Sequence, residues 1–343
     1  MDVLLIDDGV AFDGYTPASQ PLGGVEKAFA NLPAALARRG HAVRVINRAG
    51  FPIIAEGVKW LGWPGRAIEP CDVLIAYRKP TLLDTEVTAR RRILWLATAA
   101  GGLASAANAA ILARHAEAPI VVANAIHRDT LPEALVDRAT LIAPGVGAAY
   151  LQAEAMVPAS PPRAIVTTHP LMDLDWVLAL WRRYVRPKVE GAELHIYSAA
   201  LDKGVLGGAV SERLKPILER VRAAADDGVV VQRPKGDPGM VEAYRAARVH
   251  LYPGGEREVH CATLAETQAV GVPAVARRHA AAMAGIGDGE SGFAVPDHEA
   301  FASCAMLLLD NDDIFDSRSA AARERGRRRS WDDAAAEFEA LFP

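Results

Sequence analysis

Two α/β domains, each a mostly parallel sheet covered by helices on both faces, are predicted by three features of this chain. Its 343 residues exceed the size of one ordinary domain. Short apolar runs alternate with amphipathic segments throughout, the pattern of strands and covering helices in a parallel sheet. The alternation breaks once, at Met156-Val157-Pro158-Ala159-Ser160-Pro161-Pro162, where three prolines suit an extended connector.

In the first half, the apolar run 3–6 predicts a strand and 24–39 a helix with Phe29, Leu32 and Leu36 on one face. Gly40 ends that helix, and 42–46 is the next strand. Runs at 72–76, 93–96, 120–123 and 141–143 continue the strand series, with a helix at 104–115 among them. After the proline-rich break the pattern restarts. Strands are expected at 164–167, 193–197, 229–232, 249–252 and 272–276, and helices at 174–185, 211–224, 239–246 and 300–309. A last helix begins at Ser330, where Ser-Trp-Asp-Asp has the form of a capping box. The boundaries that follow are 1–158, 159–328 and a terminal 329–343.

Composition narrows the function. Half the residues (51%) are apolar, enough for two cores, and the net charge of −4 argues against a nucleic-acid partner. Cys71, Cys261 and Cys304 are too few and too widely spaced for a disulfide framework or a zinc site. The start, Met1-Asp2-Val3-Leu4-Leu5-Ile6-Asp7-Asp8, lacks a basic n-region, and no apolar stretch approaches the roughly 18 residues of a membrane span. A cytoplasmic protein is expected, at most peripheral to a membrane surface.

Chemistry concentrates between Tyr252 and Pro273. A strand ends at Tyr252, a loop with Gly254 and Gly255 follows, a helix starts near 260–263 and stops at Gly271, and a strand resumes. The free N–H groups and dipole of a helix start form an anion site. Val259, His260, Cys261, Ala262 and Thr263 would therefore cradle a phosphate or diphosphate. Glu258 before the helix and Glu266 inside it flank that anion, where carboxylates serve best as acceptors for sugar hydroxyls. Ordinary solvated acids near a helix start, Glu256 included, are the competing explanation.

The segment resembles the Glu-x7-Glu motif of retaining GT-B glycosyltransferases, the group of glycogen synthases and phosphatidylinositol mannosyltransferases (glycosyltransferase family 4 type). Glu266-Thr-Gln-Ala-Val-Gly-Val-Pro273 is similar to the family's second half-motif. Leu22-Gly23-Gly24-Val25-Glu26, Ala143-Pro144-Gly145-Val146 and Gly289-Glu290-Ser291-Gly292-Phe293 resemble other family segments in the same order. The resemblance implies two Rossmann-like domains facing across a cleft, the first on the acceptor side and the second on the donor side, with the terminal helix packing back on the first. It implies a nucleotide-diphosphate sugar as donor, and a glycan, a lipid-linked molecule or a small molecule as hydroxyl acceptor. No cofactor or metal is expected. Glu266 would bind the ribose, Glu258 the donor-sugar hydroxyls, and Gly23 and Gly24 would let the backbone approach the donor, although a plain turn explains those glycines equally.

Two departures stand out. The family's Arg–Lys pair after the first strand of the second domain is absent from Thr167-Thr-His-Pro-Leu-Met-Asp-Leu-Asp175, where Met172 replaces a basic residue. Lys203, Arg233 or Lys235, each expected in a loop beyond a strand, are the substitutes, with one of the two lysines favoured. The family's histidine is also missing from Ala97-Thr98-Ala99. A non-catalytic relative that binds nucleotide sugar is the alternative these losses leave. His127 could contact an acceptor or hold structure by hydrogen bonds. Asp173-Leu-Asp175 reads as the acidic first turn of a helix, not a metal site, and Cys261 as structural. Five arginines in 323–329 read as a helix end, with attraction to anionic lipid as the alternative.

Overall fold

Val3, Leu4, Leu5 and Ile6 are all inaccessible to solvent, the mark of a strand covered on both faces. The computed structural model places them in β1 (Asp2–Ile6), in the middle of a large sheet. The structure describes residues 1–63, 67–255 and 258–343; Glu256 and Arg257 lie outside the described residues. The chain divides into two units, Met1–Gly147 with Arg329–Pro343, and Ala148–Arg328. The division precedes the proline-rich 156–162 segment, which belongs to the second unit.

The first unit is built on β1, β2 (Ala42–Asn47), β3 (Ile53–Ala55), β4 (Val58–Gly62), β5 (Cys71–Tyr77), β6 (Ala89–Trp95), β7 (Ile120–Val122) and β8 (Ala139–Leu141). Their order is β3-β4-β2-β1-β5-β6-β7-β8, parallel except for β3 against β4. That edge hairpin was not expected from the sequence. It is anchored by Trp60, fully buried against Phe12 and Phe29. The helix Gly24–Arg38 ends as expected, with Gly40 at φ +92° and the His41 N–H returning to Leu36 O at 3.2 Å. The last strand lies two residues earlier than the run 141–143 implied.

The helix Trp331–Glu339 belongs to this unit. Ser330 and Asp333 form the capping box anticipated from Ser-Trp-Asp-Asp. Trp331 and Phe338 pack on Trp95 with centroids 6.2 and 5.3 Å apart, and Asp332 and Glu339 hold Arg38 and Arg39.

The second unit holds β9 (Arg163–Val166), β10 (Glu193–Tyr197), β11 (Val229–Gln232), β12 (Val249–Tyr252), β13 (Ala274–Arg277) and β14 (Gly292–Val295). All are parallel, in the order β11-β10-β9-β12-β13-β14. Leu174–Leu180 is helical as expected, but its continuation Trp181–Val185 widens into a π turn, with the buried Trp181 indole donating to Asp227 O at 2.9 Å.

Four of the five arginines in the run donate to main-chain carbonyls, while Arg328 pairs with Glu324. Arg323 and Arg327 both donate to Ala153 O, Arg327 also to Ala269 O, Arg325 to Ala284 O and Gly285 O, and Arg329 to Ala143 O. Among the described residues no helix is long and apolar enough to cross a membrane.

Candidate functional site

In an open parallel sheet a ligand crevice forms beyond the carboxyl ends of the strands, where the strand order reverses. In the second unit that point lies between β9 and β12. Because every strand there is parallel, the loops 167–173 and 233–236, the segments 253–255 and 258–261, and the residues after Arg277 emerge at one edge of the sheet.

The segment 258–261 carries the expected carboxylate. Buried Tyr252 donates its hydroxyl to Glu258 Oε1 at 2.9 Å, and the Gly255 N–H donates to Oε2 at 2.9 Å. Glu258 is thus fixed in orientation while half-buried. A Cβ on Gly255 would lie 2.9 Å from Met172 Cε, so the loops after β9 and β12 touch here. The helix runs Ala262–Val270, with Cys261 at its N-cap and no side chain capping its first turn. Burial pushes the Cys261 thiol up to about 12, which leaves it protonated and a poor nucleophile. Val259 is buried, and His260, Ala262 and Thr263 are half-buried. At the far end Gly271, at φ +113°, closes the helix with Val272 N–H on Thr267 O at 2.9 Å.

Glu266 lies one turn further into the helix and is only 6% exposed. It belongs to a buried polar group. Tyr150 donates to Asp237 Oδ1 at 2.8 Å, and burial, with the Glu266 carboxylate close by, raises the Tyr150 and Tyr244 phenols well above their usual range. Beside it His250, inaccessible, links Thr167 at 3.1 Å to Thr267 at 3.0 Å, tying the end of β9 to this helix. Burial pulls His250 down to about 3, so it is neutral.

The cation missing from the 167–173 loop has a neighbour the sequence reading overlooked. Arg277, ending β13, donates from Nε to Pro253 O at 2.9 Å, pairs with Asp173 and stacks over Trp176 at 4.9 Å. The signal is present in the sequence as Arg277-Arg278 at the end of β13, the fifth strand of the second unit in chain order, and not after the first. Lys235 lies, exposed, in the loop after β11. Lys203 corrects an expectation: it sits on the helix Ala199–Val205, not in a loop, because Ser198 caps that helix immediately after β10. Asp173 and Asp175 are each ion-paired, to Arg277 and Arg220.

In the first unit Gly23 is the N-cap of the helix Gly24–Arg38 and Gly24 its first residue. A Cβ on Gly23 would come within 2.5 Å of Glu26 Oε2. Close by, Arg78, at φ +69°, binds the inaccessible Asp7 through two nitrogens and Glu26 through a third at 3.1 Å. This cluster stands where that sheet reverses, between β1 and β5, and was not anticipated. His127 lies after β7, in the short helix Ala125–Arg128. It is inaccessible, its Nδ1 accepts the Ala123 N–H at 3.1 Å, and its Nε2 donates to Thr98 O at 2.8 Å. Both ring nitrogens are committed to backbone, so the ring has neither a lone pair nor a proton for an acceptor.

The two sheets with their covering helices form the GT-B fold of glycosyltransferases. HepE of Anabaena, solved with UDP and glucose, matches with a TM-score of 0.71 at 11% identity, covering 99% of this chain and 98% of that one. Residues 166–311 match the family described as "Glycosyl transferases group 1". Two D-inositol 3-phosphate glycosyltransferases are similar in sequence: that of Corynebacterium urealyticum is 30% identical over 112 residues, 32% of this chain, and that of Acidothermus cellulolyticus 34% over 133 residues, 37% of this chain. The matches span 26% and 30% of the lengths of those two relatives.

Proposed function

We propose that this protein transfers a sugar, a hexose, from a nucleotide-diphosphate sugar to a hydroxyl acceptor with retention at the anomeric carbon. The observation that carries the reading is the fixed Glu258 carboxylate, held by Tyr252 and Gly255 in the loop that leads into the uncapped helix Ala262–Val270. That arrangement offers backbone N–H groups to a diphosphate and a preoriented acceptor to sugar hydroxyls. The UDP and glucose bound in HepE support a nucleotide-sugar donor. Glu266 is the candidate for the ribose.

In the reaction the bond between the anomeric carbon and the diphosphate oxygen breaks. The acceptor oxygen bonds to that carbon on the same face, and its proton passes to the departing diphosphate. No protein base is then required, in keeping with the backbone-bound state of His127. The protein contributes orientation and stabilisation of phosphate charge.

The absence of a cation from the 167–173 loop favours a second reading, a relative that binds nucleotide sugar without turnover. One experiment separates them. The chain is incubated with a panel of nucleotide sugars, with and without hydroxyl acceptors, while free nucleotide diphosphate and the anomeric configuration of the product are followed. Acceptor-dependent release with retained configuration is expected. Binding without release would establish the second reading, and an inverted product would remove retention.

A further inference from the structure

A nucleotide diphosphate brings about two to three negative charges, and a helix N-terminus offsets only about half of one. On the nucleotide-sugar reading above, on which this inference rests, the site needs a permanent cation, and the loop after β9 has none.

Among the described residues, the guanidinium of Arg277 reaches this place. From the end of β13 it crosses the exit of β12, where Nε binds Pro253 O at 2.9 Å and Nη2 approaches Gly254 O at 3.4 Å. The same Nη2 meets Asp173 in the segment after β9. Arg277 therefore lies over the crevice between β9 and β12. Its Nη1 makes no hydrogen bond to any described residue, and the side chain is 28% exposed. The Trp176 face at 4.9 Å and the Pro253 carbonyl fix the plane of the fork. Its neighbour Arg278 is turned away, to Ala294 O and towards Asp288.

We propose that Arg277 is the cation of the donor diphosphate site, and that Asp173 is an internal counter-ion which the phosphates displace. Asp173 suits that role. Its side chain is 53% exposed, so water rehydrates it on release, and it makes no helix-capping bond despite standing at the N-cap of Leu174–Leu180. A phosphate carries more charge than a carboxylate and matches the guanidinium fork, so the exchange favours the ligand. Lys203 and Lys235 are exposed and make no ion pair with the described residues, which leaves them as comparators.

The test is titration calorimetry on the full chain. The probes are whichever of UDP, GDP and ADP the wild type binds best, and the matching free nucleoside. Arg277→Met is expected to weaken the diphosphate by about tenfold or more and to leave the nucleoside unchanged. Asp173→Asn is expected to tighten the diphosphate severalfold, again without effect on the nucleoside. Equal losses for diphosphate and nucleoside in Arg277→Met would assign the arginine to loop structure and overturn the proposal. So would unchanged diphosphate affinity. If Arg277→Met does not fold, Asp173→Asn decides alone: no gain overturns the exchange. A wild type that binds none of the diphosphates removes the nucleotide reading itself, an outcome distinct from loss of the arginine's role.

Discussion

The hydroxyl of Tyr252 lies 2.9 Å from Glu258 Oε1, on the opposite side of the carboxylate from the Gly255 N–H at Oε2. Each oxygen keeps a further lone pair, so Glu258 can accept sugar hydroxyls while its direction is set by the loop. Tyr252→Phe removes one of the two restraints without changing charge or volume appreciably. The expected outcome is a loss of about 1 kcal/mol of stability, the usual worth of a hydrogen bond. With it should come a drop in kcat/KM for sugar transfer and unchanged affinity for the free nucleotide diphosphate. Steady-state kinetics beside calorimetry checks it. A parallel fall in diphosphate affinity would mean that Tyr252 supports the anion site, not Glu258.

His127 supplies the opposite case, a residue whose chemistry is internal. His127→Ala leaves the buried Ala123 N–H without its partner, at a cost of about 1–3 kcal/mol. Urea unfolding should register that loss. Transfer per folded molecule should stay within a few-fold of wild type, and a far larger drop in a folded variant would return His127 to the reaction.

Much of this was legible in the sequence because it rests on local pattern. The runs at 3–6 and 249–252 announce buried parallel strands, and the strand–loop–helix around Glu258 appears where spacing placed it. The hairpin of β3 and β4 escaped because Ile53–Ala55 is only three residues long and follows Phe51-Pro52, which reads as a turn. Arg277 escaped for a different reason. Its meeting with Asp173 depends on β12 lying between β9 and β13, an order that strand-by-strand reading does not supply. His127 was placed correctly after its strand, but periodicity does not say which way a ring turns in the short helix Ala125–Arg128.

Gly326 marks where a small residue holds the site helix in place. A Cβ there would fall 2.3 Å from the Ala269 nitrogen, so the helix Asp312–Gly326 meets Ala262–Val270 backbone to backbone. Gly326→Ala must push the two apart, at about 1–3 kcal/mol for an overpacked contact. Since the displaced helix carries Glu266, weaker nucleotide binding is expected together with a lower Tm. A variant as stable as wild type would show that the contact yields freely.

The final prediction concerns acid. Glu339 grips Arg39 through two bonds of 2.6 and 2.7 Å and His41 at 2.9 Å, fastening the helix Trp331–Glu339 to the helix Gly24–Arg38 and its C-terminal turn. The Arg39 guanidinium, with His41 behind it, holds the Glu339 carboxyl down at about 2, against 4.5 for the free side chain. A depressed carboxyl binds its proton more readily in the unfolded chain, so its contribution is complete above the unfolded value and shrinks as pH falls. The window is therefore pH 4.5 down to about 2. Hydrogen exchange of the 331–339 amides in wild type and Glu339→Gln reads it directly. Protection in the wild type should exceed that of the variant by a constant factor above about pH 5, and the two should converge as the carboxyl protonates. No gap at any pH would mean that packing of Trp331 and Phe338 on Trp95, and not the ion pair, holds the helix in place, and a gap that persists unchanged to the lower end of that window would mean that the variant's loss does not come from the carboxylate's charge.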